Sequence, residues 1–135
     1  MKTLGQFPLR LSLVASLAVA VTCGGSNPNN PSGGGGAPGP SGATITILAN
    51  GTVSPNTVTI SRGQSVTIVN NDSRVHDMTS DPHPTHTDCQ EINAVGLLQP
   101  SQSKLTNALN TARSCGFHDH GLPDDAGLKG RIIIQ

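Results

Sequence analysis

The domain portion of this 135-residue chain predicts an all-β fold, an antiparallel sandwich or barrel. Apolar and polar residues alternate over short runs, and turn-forming residues separate those runs at regular intervals. No internal repeat and no helix-rich segment interrupts the pattern.

The strands follow in chain order. Ile45, Ile47 and Ala49 alternate with Thr44, Thr46 and Leu48 until the turn residues Asn50-Gly51. Val58 and Ile60 alternate with Thr57, Thr59 and Ser61 after Ser54-Pro55-Asn56. Val66 and Ile68 alternate with Ser65, Thr67 and Val69, between Arg62-Gly63-Gln64 and Asn70-Asn71-Asp72. Val95 to Leu98 and Arg131 to Ile134 are short apolar runs suited to strands, while Ser103 to Ala112 fits either a strand or a helical turn. Residues 43–135 are long enough for one small domain with one core. Beyond the leader described next, the chain has no Trp, no Tyr and a single Phe, Phe117. Such a core rests on Val, Ile, Leu and Ala, and a cross-link or a metal would reinforce it.

Residues 1–22 have the layout of a secretory signal: Lys2 and Arg10 are basic, and Leu11 to Val21 is an apolar run too short to span a bilayer. Ala20-Val21-Thr22-Cys23 resembles a bacterial lipobox, which would make Cys23 the lipidated first residue of the mature protein. The alternative is cleavage after Ala18-Val19-Ala20 and release of a soluble protein. Residues 23–42 are rich in Gly, Ser, Asn and Pro and carry no charge, the composition of a tether. The expected location is therefore the periplasm or the outer surface, with the chain held to a bacterial membrane through its lipid anchor. Loss of Lys2 and Arg10 leaves six basic residues against eight acidic ones, a balance that does not favour nucleic acid.

Chemistry concentrates near the end of the chain. Cys115-Gly116-Phe117-His118-Asp119-His120 places a thiol and two imidazoles within six residues, on what reads as a loop leading into the last strand. With His76 upstream, soft sulfur and borderline nitrogen donors point to copper. A second cluster, His83-Pro84-Thr85-His86-Thr87-Asp88-Cys89, has the spacing H-x-x-H-x-x-C, with Asp77, Met78 and Asp81 nearby. It can hold a second metal, complete the first site by folding over it, or be a solvated polar loop. Cysteine usage opens a further alternative. With Cys23 lipidated or cleaved away, Cys89 and Cys115 remain in an oxidising compartment where they can pair. A bridge over that span stabilises by about 3 kcal/mol and would withdraw Cys115 from any metal.

A family resemblance runs through these segments. Arg62-Gly63-Gln64, then Val66 to Asp72, then His76 is similar to the middle of a cupredoxin, the plastocyanin and azurin class of blue copper proteins. Leu98 to Ser103, Cys115-x-x-His118 and Leu128-x-Gly130-x-Ile132-x-Ile134 continue the likeness. The resemblance implies a Greek-key sandwich with one copper ion on His76, Cys115 and His118. Leu128 stands where that family usually has a methionine ligand, so the site would be three-coordinate or take another donor such as His120. The function implied is a one-electron carrier serving periplasmic or membrane redox proteins, with no catalytic acid or base. Two other readings stand beside it: copper storage, delivery or sequestration with a Cys89–Cys115 disulfide, and a metal-free structural sandwich.

Gly116-Phe117-His118-Asp119-His120 also resembles a motif of copper-zinc superoxide dismutases, since histidines two apart on an extended segment face one side. Those enzymes place further histidines downstream, and none occurs in the fifteen residues after His120. Asp124-Asp125 suits a solvated turn, and no glycine run carries the Lys-Ser or Lys-Thr of a phosphate-binding loop. An enzyme is therefore not expected.

Overall fold

The computed structural model describes residues 39–135. The proposed signal, Cys23 and most of the tether lie outside the described residues. Among the described residues nine strands form two sheets. The first contains β1 (Ser41–Ile47), β2 (Val53–Ser54), β4 (Ser65–Asn70) and β7 (Ser103–Leu105), in the order β2-β1-β4-β7. The second contains β3 (Thr57–Ile60), β5 (His76–Ser80), β6 (Gly96–Leu98), β8 (Arg113–Asp119) and β9 (Gly130–Ile134), in the order β3-β9-β8-β5-β6.

The expected all-β sandwich is present, but it is not purely antiparallel. β1 runs parallel to β4 and β3 parallel to β9, while the remaining pairs are antiparallel. Both parallel pairs join strands that are distant in sequence, brought together as the chain crosses between sheets. Inward positions of both sheets close one core, in which Ile45, Ile47, Ile68, Met78, Leu98, Phe117 and Ile132 are fully buried. β1 ends at Ile47, so Leu48 and Ala49 are exposed in the turn rather than continuing the strand. Gly51, at φ +76°, closes that turn through its amide on the Leu48 carbonyl, 2.9 Å.

Besides the two-residue β2, two strands fall where no strand was expected. β5 presents His76, Met78 and Ser80 inward, and β8 runs through the cysteine and histidine segment expected to be a loop. β6 is preceded by a 3-10 turn, Gln90–Ala94, which buries Ile92. Past Leu105 the segment to Ala112 is irregular, apart from a bridge between Gln64 and Leu109. Asp125 caps the short 3-10 turn Ala126–Leu128, accepting from the Gly127 amide at 2.8 Å, and Leu128 is buried in the core.

Cys89 and Cys115 form a disulfide with a Cα–Cα distance of 5.8 Å. Both are fully buried members of the core. The pairing withdraws Cys115 from the metal-ligand set in which it was expected.

Candidate metal centre

The centre follows from the two-residue period of a strand. On β8, Cys115 and Phe117 point into the core, so Gly116 and His118 stand on the opposite face, and His120, just past the strand end, continues their row. Cys115 and His118, three residues apart, therefore face opposite sides of the sheet. The neighbouring strand enforces the same division, because cross-strand partners share a face. Thr79 is paired with His118 and Met78 with Asp119, which puts His76 on the core side with Met78. His76, Cys115 and His118, expected to share one ion, are thus not brought together.

His76 has a different role. Its Nδ1 donates to Asp119 Oδ2 at 2.6 Å, and its Nε2 lies 3.0 Å from Asp72 Oδ2, so both ring nitrogens are engaged by buried carboxylates. Asp72 follows β4 of the first sheet, while His76 and Asp119 belong to β5 and β8 of the second. The bridge ties the sheets together at one end of the sandwich. Its hydrogen bond to His76, helped by Arg74 at 2.9 Å, holds the Asp72 carboxyl down at about 2 against its ordinary 3.8.

The outward row on β8 is covered by residues 81–88, a flap between the end of β5 and the disulfide. The Asp81 amide donates to the Gly116 carbonyl at 3.0 Å, and the Asp88 amide returns to the Asp81 carbonyl at 2.9 Å, closing the flap at its base. Pro82 and Pro84 restrict its backbone, and the His86 amide bonds the Pro82 carbonyl at 2.8 Å. His86 sits in the left-handed region at φ +50°, an uncommon backbone for a side-chain-bearing residue. Asn93 secures it, donating from Nδ2 to the His86 carbonyl at 2.9 Å while its Oδ1 accepts from the Ser80 amide at 2.9 Å.

This flap lays His83 and His86 against His118 and His120. One ligand atom from each of the four lies within 4.8 Å of the others. Ring centroids are separated by 4.8 Å for His86 and His120, 5.0 Å for His83 and His120, and 5.3 Å for His86 and His118. His118 is buried at the base, His86 is half-buried, and His83 and His120 are exposed at the rim. Among the described residues this is the single group of three or more His, Cys, Asp or Glu side chains whose ligand atoms converge on one point. The H-x-x-H loop thus completes the site on β8 instead of forming a second one.

Crowding among the imidazoles acts on His86. Burial, then repulsion from His120, His118 and His83, lowers the pKa of His86, against a smaller opposing pull from Asp77. His120 Nδ1 and His86 Nε2 lie 3.1 Å apart, within reach of one shared proton. His118 donates from Nδ1 to Asp81 Oδ1 at 2.6 Å. Its Nε2 is buried and has no hydrogen-bond partner among the described residues.

No protein-family model and no curated protein sequence matches the chain. Solved structures do. A mutant fern plastocyanin, described in oxidized and reduced forms, superposes with a TM-score of 0.55 at 18% identity, covering 68% of this chain and 99% of its own. A purple cupredoxin from Nitrosopumilus maritimus gives 0.54 at 19% identity, covering 69% and 99%. The fold is that of a cupredoxin. A mutant amicyanin in its Cu(I) form agrees, with a TM-score of 0.54, 14% identity and coverage of 70% and 82%. At such identities the likeness establishes a divergent cupredoxin fold and leaves the ligand set to be argued from this chain's own residues.

Sequence reasoning named all four histidines, and folding of His83 and His86 over the first site was one of three readings it left open. It passed over Asp81 as a ring partner. One signal pointed there: Gly116 within a strand marks a place where another group approaches closely. A Cβ at Gly116 would collide with the Asp81 carboxylate.

Proposed function

We propose that the chain is a copper-binding protein whose ion is held by His83, His86, His118 and His120. The observation that carries this reading is the His118 Nε2, a buried nitrogen with no hydrogen-bond partner among the described residues, set among three further imidazoles. A buried polar atom left unsatisfied is costly, and a metal would satisfy it. The donor set fits. Imidazole nitrogens bind copper, zinc and nickel, and copper leads that order of affinities. Two nitrogens on one ion stand at most about 4 Å apart, so a small contraction of the group, whose ligand atoms lie within 4.8 Å of one another, suffices. Copper, when bound, supplies a Lewis-acidic centre capable of one-electron exchange.

The residues divide the work. His118 is the fixed anchor on the sheet, His120 shares its face, and the flap brings His83 and His86. An all-nitrogen set lacks the thiolate that stabilises Cu(I), half the ligands sit on a covering loop, and His83 and His120 lie at an open rim. These features favour storage, delivery or sequestration of Cu(II) over blue-copper electron transfer. A one-electron carrier for periplasmic or membrane redox proteins is the second reading, favoured by a fold neighbour described in both oxidized and reduced forms. Export, and anchoring through a lipid on Cys23, are part of the proposal on the strength of residues 1–22.

Titration of the mature protein with Cu(II) tests it. We expect one equivalent bound, a paramagnetic resonance spectrum showing nitrogen ligands, and no intense thiolate band. Binding should be lost in both a His83→Ala, His86→Ala pair and a His118→Ala, His120→Ala pair. An intense visible band, or copper retained by either pair, would overturn the four-imidazole centre.

A further inference from the structure

We propose that Asp81 is the positioning residue of this centre: it fixes the tautomer of His118 so that Nε2 presents a lone pair to the metal, and it couples that ring to the base of the flap. The inference rests on the four-imidazole reading.

Four contacts converge on Asp81. Its Oδ1 accepts from His118 Nδ1 at 2.6 Å. Its amide and carbonyl hold the flap base, donating to the Gly116 carbonyl at 3.0 Å and accepting from the Asp88 amide at 2.9 Å. The rest of its carboxyl group occupies the space over Gly116, where an added Cβ would meet Asp81 Cγ at 2.8 Å and Asp81 Cβ at 3.3 Å. Gly116 is not at positive φ. Close approach, not backbone conformation, explains the glycine.

The chemistry follows from the proton count of a neutral imidazole, which has one N–H and one lone pair. A carboxylate is an acceptor only, so the proton must sit on Nδ1 and the lone pair on Nε2. His118 Nε2 is the buried nitrogen of the imidazole group that has no partner among the described residues. A carboxylate behind a ligating histidine also raises its basicity, and loss of such a partner typically weakens metal affinity about 10–100-fold. Because Asp81 is both the first residue of the flap and the partner of the buried ligand, the orientation of His118 and the closure of His83 and His86 over it depend on one side chain.

The test compares Asp81→Ala, Asp81→Asn and Gly116→Ala with the full-length protein, using the metal-free chain and Cu(II) alone as the probe. Nitrogen–proton correlation spectra of the metal-free chain, at about pH 8 where imidazoles are neutral, should show His118 protonated on Nδ1. In Asp81→Ala the ring should move towards the Nε2–H form, and Cu(II) affinity should fall about 10–100-fold. Gly116→Ala, which displaces the carboxylate without removing it, should reproduce both changes. Asp81→Asn, which keeps an oxygen acceptor without the charge, should fall between. Wild-type affinity and an unchanged tautomer in Asp81→Ala would overturn the proposal. So would weakened copper binding with an unchanged tautomer, because Asp81 would then act through the flap alone. If the wild-type chain bound no Cu(II), the four-imidazole reading would fail, and the tautomer of the metal-free chain would still decide what Asp81 does.

Discussion

Replacing both Cys89 and Cys115 with Ala separates the structural account of this domain from the thiolate-copper account. The two residues lie 26 apart in sequence, and opening a loop of that length returns about 12 cal/mol/K of chain entropy to the unfolded state, or about 3.5 kcal/mol at 25 °C. For a domain of about 100 residues that corresponds to a fall of about 15–20 °C in thermal midpoint. Circular dichroism melts of the metal-free proteins measure it directly. Copper titration well below the lower midpoint measures the other half. The double variant should still bind Cu(II), less tightly because the flap has lost one anchor, and with the same weak visible spectrum as wild type. Cys89→Ala alone is the sharper probe, since it frees the Cys115 thiol while the strand keeps it facing the core. An intense copper–thiolate band in Cys89→Ala, or in the wild type with loss in the double variant, would refute the assignment of Cys115 and His118 to opposite faces.

Other outcomes follow from the same geometry. His76→Ala should destabilise the fold by about 3 kcal/mol, because it strands buried carboxylates, yet leave copper stoichiometry unchanged; loss of the ion would return His76 to the ligand set. Stability should also depend on acid through Asp72, whose carboxyl is held at about 2 against an ordinary 3.8. The unfolded chain binds that proton more readily, so the contribution is present above about pH 4 and is lost as pH falls through about 2. Asp72→Asn should flatten the midpoint-versus-pH profile in that window, and an unaltered slope would count against the bridge. Gly130→Ala should cost about 1–3 kcal/mol in a urea melt, since its Cβ would run into the Phe117 ring and the Asn56 carbonyl.

The legible parts of the fold were those in which burial is written as apolar alternation. β1, β3 and β4 bury Ile or Val at alternate positions with Thr between them, a two-residue period visible without a structure, while β9 shows as a short apolar run. β5 was hidden because its inward positions are His76, Met78 and Ser80, and a strand that buries an imidazole and a hydroxyl leaves no apolar signal. β8 was mistaken for a loop because Gly116, His118 and Asp119 are poor strand formers whose place is decided by tertiary pairing. That error moved the site. A spacing of three between Cys115 and His118 brings two donors together on a loop and drives them apart on a strand. The spacing of two between His118 and His120 was the dependable clue. The approach of His83 and His86 is a tertiary event, fixed by Asp81 and the disulfide, with no local signature beyond the histidines themselves.

The division of β8 into two faces also bears on how such a protein can change over evolutionary time. Cys115 and Phe117 serve the interior, while Gly116, His118 and His120 serve the covered exterior, so substitutions on one side of the strand make few demands on the other. A lineage could trade histidines for cysteines or carboxylates along the outward row and the flap, altering which ion is preferred while the sandwich beneath keeps its packing. If the four-imidazole centre holds copper as proposed, metal preference becomes a modular trait of the domain, heritable separately from its architecture.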